Sequence, residues 1–130
     1  MTNQARLLDS SVVIRHFRRG GEVSDKLLHL GGLYMPSIVL GELMAGAYRS
    51  ARPDHHLAQI SNFLPAVILI PVCDDTAKHY GLISAQLAAK GTPIPQNDIW
   101  IAACAMQWGL TLATGDAHFE LIEGLSVEKW

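Results

Sequence analysis

Much of what would mark a familiar chemistry is missing from these 130 residues. There are only two cysteines, Cys73 and Cys104, far apart and in no CxxC pair, which excludes a disulfide framework and predicts reduced thiols in a cytoplasmic protein. No apolar run approaches the roughly 20 residues of a membrane span, and MTNQARLLDSS lacks the charged start and apolar stretch of a secretory leader. No GxGxxG or GxxxxGK[ST] is present, so a nucleotide fold would have no phosphate loop. Six histidines (His16, His29, His55, His56, His79 and His118) include no HExxH and no Cys/His pairing, and His55-His56 reads as a solvated helix start after Pro53. Excess positive charge is lacking too: the formal net charge is −2, so broad, charge-driven binding of nucleic acid is excluded. Binding of that kind would need a local patch or a bound cation.

What is present is apolar. Hydrophobic residues make up 49% of the chain against 17% charged, which predicts one globular domain over residues 1–130 with a substantial core. Around Ile99 to Met106 the sequence is apolar on every side, and a helix without a polar face is a buried one. Asn97 is the expected N-cap, and Asp98 falls in the first turn, where negative charge suits the helix dipole. A carboxylate at the head of the most buried helix calls for a cationic partner.

The remainder alternates strands and helices. Arg6–Asp9 is a short strand ending in an acid, and Ser10 or Ser11 is the expected cap of the next helix. A second helix at 22–30, a strand at 33–35, a helix at 37–50 and another from Pro53 follow. The continuous run AVILIPV at 66–72 predicts a strand covered on both faces. A long helix at 74–90 is expected to turn Ala77, Leu82, Ala85 and Leu87 inward. The strand at 110–113 leads to Thr114-Gly115-Asp116, a short helix and a last strand at 125–129. This alternation predicts an α/β sandwich of three layers, a mainly parallel sheet flanked by helices.

Ligands of open parallel sheets bind beyond the carboxyl ends of the strands. Asp9 and Asp116 belong there, Asp98 can point to the same edge, and Glu42 lies on the flank of its helix beside Ala45 and Gly46. Singly, each has an ordinary reading: caps for Asp9 and Asp116, a dipole partner for Asp98, a surface pair with Arg49 for Glu42. Together, four acids without matching Lys or Arg suit a divalent cation, and all-oxygen ligation selects Mg²⁺ or Mn²⁺. The one dense basic cluster is Arg15, Arg18 and Arg19 with His16, which reads either as an RNA-backbone grip or as cations suited to a helix C-terminus.

The segments LLDSSVVI, SIVLGEL, QNDIWIAACA and TLATGDAHF resemble, in order and spacing, those of the PIN-domain family, in particular the VapC-type toxins of toxin–antitoxin pairs. The resemblance covers nearly the whole chain. It implies a PIN-like sandwich and a metal-dependent endoribonuclease with Asp9, Glu42, Asp98 and Asp116 as the acidic quartet. Asp9 and Asp98 would be direct Mg²⁺ or Mn²⁺ ligands, and Asp116 and Glu42 direct or water-mediated ones. Thr114 matches the polar residue often found two before the last acid. Ser11 stands where the family commonly has Asn, a change expected to tune the site. Further implied are a VapB-like antitoxin covering the site, with Val12, Leu27 and Leu30 as candidate groove or core residues, and a homodimer in which Trp108 and Trp130 are candidate contacts. The alternative is a PIN-like module that binds RNA or protein without cutting.

Overall fold

The computed structural model describes residues 4–130. Five parallel strands form a single sheet in the order β3-β2-β1-β4-β5, with β1 at Ala5–Leu8, β2 at Gly32–Pro36, β3 at Ile68–Ile70, β4 at Thr111–Thr114 and β5 at Val127–Lys129. The chain lays β2 and β3 on one side of β1, then returns to place β4 and β5 on the other. The point of reversal, between β1 and β4, opens a crevice beyond the strand ends. Leu8 pairs in register with Ala113, so the residues that follow the two strands, Asp9 and Thr114 onward, emerge side by side.

Six helices connect the strands: α1 (Ser10–Arg18), α2 (Glu22–His29), α3 (Ser37–Arg49), α4 (Pro53–Phe63), α5 (Asp74–Lys90) and α6 (Gln96–Trp108). The core runs through Leu7 and Leu8 of β1, Leu112 and Ala113 of β4, and Ile101 to Ala105 of α6, all fully buried. Helix α6 thus meets the expectation from its pattern: five consecutive residues without exposed surface follow from having no polar face. Its alanines permit close approach, and its principal neighbour is α5. No described helix is long and apolar enough to cross a membrane.

Four local expectations are corrected. Helix α1 is capped by Asp9, whose side chain accepts from Ser10 N at 2.8 Å, because the chain passes from strand to helix through that one residue. Helix α6 begins at Gln96 after Pro95, with no side-chain cap; the Pro95 carbonyl accepts from the amides of Asp98 and Ile99, and Asn97 is inside the first turn. The apolar run at 66–72 is not covered on both faces. It supplies β3, which among the described residues is an edge strand paired only with β2, with Ile68 and Leu69 exposed and Ile70 buried. Helix α5 turns Thr76, Ile83 and Leu87 inward, and leaves Ala77, Leu82 and Ala85 exposed. Thr76 tolerates full burial because its hydroxyl donates to Gln107 Oε1 and accepts from the Cys73 amide.

Candidate active site

Four elements deliver one acid each to the crevice. Asp9 follows β1, Glu42 lies on α3, Asp98 stands in the first turn of α6, and Asp116 follows β4. They line a common cavity of about 540 Å³ with Ser10, Ser11, Asn97 and His118, and no lysine or arginine is among its lining residues. The four predicted acids are therefore brought together, from positions 107 residues apart at the extremes.

The floor of the site is a hydrogen-bond network. Asp9 is only 4% exposed, and its Oδ2 accepts from Thr114 Oγ1 at 2.7 Å and from Ser11 Oγ at 2.9 Å. Thr114 Oγ1 in turn accepts from the Asp116 amide at 3.0 Å, and Ser11 Oγ accepts from the Gly115 amide at 3.1 Å. Ser11 and Thr114 thereby bolt the loop after β4 onto the turn after β1, and set the spacing of Asp9 and Asp116. A serine suffices at position 11 because the task is to donate once and accept once.

Electrostatics are strained in the expected direction. Burial raises the Asp98 carboxyl above its ordinary value, with Asp9 and Asp116 adding to the rise and a hydrogen bond from His118 opposing it. Burial also raises Glu42; Asn97 and Ser10 oppose this by hydrogen bonding, and the charges of Asp9 and Asp98 reinforce it. Glu42 Oε1 is buried without a hydrogen-bond partner among the described residues. No ion pair joins Glu42 to Arg49 among the described residues.

No lysine or arginine meets Asp98 among the described residues; its partner is His118, whose Nδ1 lies 3.3 Å from Asp98 Oδ2 and 3.1 Å from Asp116 Oδ1. Sequence reasoning missed it. The available signal was its place two residues after an acid at a strand end, in a turn where Asp116 accepts from the His118 amide at 2.9 Å.

The basic cluster divides. Arg18 and Arg19 are exposed, but Arg15 is half-buried and donates from Nη1 to the Trp130 carbonyl at 2.6 Å. Arg15 is thus a brace and not a free cation. Trp130 is likewise buried at 8% exposure, with its indole N–H donating to Glu128 Oε1, whereas Trp108 is 58% exposed. Val12 and Leu27 are core residues. A side chain at Gly115 would bring its Cβ to 2.7 Å from Arg15 Nη2. Gly115→Ala is accordingly expected to dislodge Arg15 from Trp130 and to destabilise the fold by about 1.5–3 kcal/mol, the worth of one charge-assisted hydrogen bond. In an Arg15→Gln background the same change should cost clearly less, leaving only the 3.3 Å approach of the Cβ to the Trp130 carbonyl. Thermal melts of the two single variants and the double variant test this, and additive losses would refute the brace.

Comparison with known proteins gives the family. Residues 6–125 match the PIN domain family. Ribonuclease VapC2 of Haemophilus influenzae is 34% identical over 127 residues, covering 95% of this chain and 96% of its own. The tRNA(fMet)-specific endonuclease VapC of Salmonella typhimurium is 36% identical over 104 residues, 79% of each chain. Among solved structures, DNA-bound VapBC from Salmonella typhimurium superimposes with a TM-score of 0.91 at 32% identity, covering 97% of this chain and 98% of that one. The family match over residues 6–125, relatives 34–36% identical over most of their length and a shared fold place the chain in the PIN-domain family, within its VapC group.

Proposed function

We propose that this chain is a divalent-metal-dependent endoribonuclease, the toxin of a toxin–antitoxin pair, that hydrolyses RNA phosphodiester bonds in the cavity formed by Asp9, Glu42, Asp98 and Asp116. The observation that carries the reading is the donor set itself. Four carboxylates from four elements meet with no lysine or arginine among the lining residues, and one of their oxygens, Glu42 Oε1, is buried without a partner among the described residues. Such a set fits a hard cation, with Asp9, Asp98 and Asp116 as the residues to hold Mg²⁺ or Mn²⁺. A divalent ion supplies, when bound, a lowered pKa for water and neutralisation of the phosphoryl oxygens.

The protein's own groups account for the remainder. Glu42, raised by burial and with Oε1 free, would take a proton from the attacking water as its oxygen bonds to phosphorus and return that proton to the leaving oxygen as the ester bond breaks. Asp9, pinned by three hydrogen bonds, holds its carboxylate in a single orientation. The exposed Arg18, which lines the cavity adjoining the acids, and Arg19 beside it offer the phosphate backbone a grip.

A second cavity, of about 400 Å³ between α1, α3 and α4, shares Ile14 and Glu42 with the acidic one and is lined further by Phe17, Leu43 and His56. A VapB-like antitoxin segment lying in it would reach the acids and exclude RNA. A second copy of the chain is the proposed occupant of the apolar surface at Ile68, Leu69 and Trp108, all exposed in the monomer.

The test is incubation of purified protein with tRNA(fMet) and with mixed structured RNAs, in Mg²⁺, in Mn²⁺ and in chelator. Cleavage in either metal that stops with chelator is expected. RNA binding without cleavage in every condition would overturn the proposal in favour of a non-catalytic module.

A further inference from the structure

His118 has no part in the reading above, yet its ring is fixed against two of the acids. Its side chain is half exposed, and Nδ1 approaches Asp98 Oδ2 and Asp116 Oδ1 together, at 3.3 and 3.1 Å. Only the contact to Asp98 is a hydrogen bond, so at 3.1 Å from Asp116 Oδ1 the same nitrogen faces a second carboxylate oxygen that its one hydrogen does not serve. One donor atom from each of the three residues lies within 4.8 Å of the others. The two histidine spacings, 3.3 and 3.1 Å, are near the roughly 3.0 Å that separates adjacent octahedral ligands about 2.1 Å from a common centre, and the carboxylate oxygens, within 4.8 Å, need only close to roughly 4.2 Å to take opposite corners.

We infer that His118 Nδ1 is a nitrogen ligand to the divalent ion in this cavity, so that the site is a mixed oxygen–nitrogen centre that favours Mn²⁺ and its transition-metal neighbours over Mg²⁺. The inference rests on the proposed metal site and adds to it a ligand and a selectivity. Carboxylates alone suit Mg²⁺ and Mn²⁺ alike, whereas imidazole strengthens binding of first-row transition ions, which follow the Irving–Williams order, and contributes little to Mg²⁺. The short 3₁₀ turn at Ala117–Leu121 is what carries the ring there. Asp116 caps it, and Phe119, fully buried, anchors it to the core on the residue next to His118.

Pulsed electron paramagnetic resonance of the Mn²⁺-loaded protein reads a coordinated ¹⁴N directly, without any assay of activity. One imidazole coupling is expected in the unaltered protein, and none in His118→Gln at full Mn²⁺ occupancy. By calorimetric titration the same change should weaken Mn²⁺ by at least about tenfold, since outer partners alone are worth 10–100-fold, while Mg²⁺ affinity stays within about twofold. Mn²⁺ bound without nitrogen coupling, or coupling that survives in His118→Gln, overturns the assignment, and the unaltered protein's spectrum decides even if the variant fails to fold. Two failures are distinguishable. Mn²⁺ binding that is lost in Asp98→Asn but shows no nitrogen coupling removes only His118. No Mn²⁺ binding by the unaltered protein removes the metal site and this inference together.

Discussion

Asp98→Asn should remove RNA cleavage almost completely while making the metal-free protein more stable. The activity loss follows from withdrawing a charged ligand from an ion that is asked for several kcal/mol of transition-state stabilisation. A loss of about 4 kcal/mol is roughly a thousandfold in rate. The gain in stability has a separate cause. Asp98 and Asp116 offer oxygens within 4.8 Å of each other, a repulsion of roughly 3 kcal/mol at an effective dielectric of ~20. His118 and solvent relieve part of it, but the carboxyl of Asp98 remains raised from its ordinary 3.8, so the folded state on balance disfavours its charge.

The linkage sign follows. A carboxyl whose pKa is raised on folding binds its proton more tightly in the native state, so its contribution to stability is full below the unfolded value and is lost as pH climbs to the folded one. Metal-free protein should therefore lose stability upward from about pH 4, and Asp98→Asn should lessen that loss. A net gain of about 1 kcal/mol at neutral pH corresponds to roughly 3–5 °C in a chain of this size. Melting curves in chelator across pH 4–8, beside a cleavage assay, test both halves. Cleavage at the unaltered rate would refute the site, and a lower melting temperature in chelator would refute the strain.

The acids were legible because the topology is. Short apolar strands at Arg6–Leu8 and Leu110–Ala113 each end in a polar turn, and a parallel sheet sends such turns to a single edge. Helix α6 was legible because an apolar circumference has only one destination. What escaped was whatever depends on neighbours. AVILIPV reads as a buried strand, but hydrophobicity does not say how many strands will flank it, and β3 is left at the edge with Ile68 and Leu69 outward. In α5, Ile83 and Leu82 are equally apolar, and only the packing of α6 decides that Ile83 goes in. His118 shows no metal spacing along the chain because its partner Asp98 lies 20 residues away and meets it only across the folded crevice. Arg15 shows the converse: a cation in a basic cluster that the fold uses as a brace.

Asp9 should answer substitution in the opposite sense from Asp98, although both are acids of one cavity. Asp98 is held chiefly by a half-exposed histidine; Asp9 is 4% exposed and accepts from Ser10 N, Ser11 Oγ and Thr114 Oγ1. Asp9→Ala removes the cap of α1, worth about 1 kcal/mol, and strands two hydroxyl donors in the interior at about 1–3 kcal/mol each. Relief of repulsion with Glu42 and Asp98 returns part of this, so a net loss of roughly 3 kcal/mol, on the order of 10 °C, is expected. Asp9→Asn should recover about half. Its amide oxygen can take the Ser10 N–H, but its NH₂ faces the Ser11 and Thr114 hydroxyls, which must turn to accept from it. Thr114 Oγ1 already accepts from the Asp116 amide, so the disturbance passes to the loop after β4. Activity should be absent in both variants, so stability alone separates the roles. With chelator present, the melting order should run Asp98→Asn, unaltered protein, Asp9→Asn, Asp9→Ala from highest to lowest. An Asp9→Ala protein that melts above the unaltered one would mean that charge repulsion, and not the network through Ser11 and Thr114, governs the floor of the site.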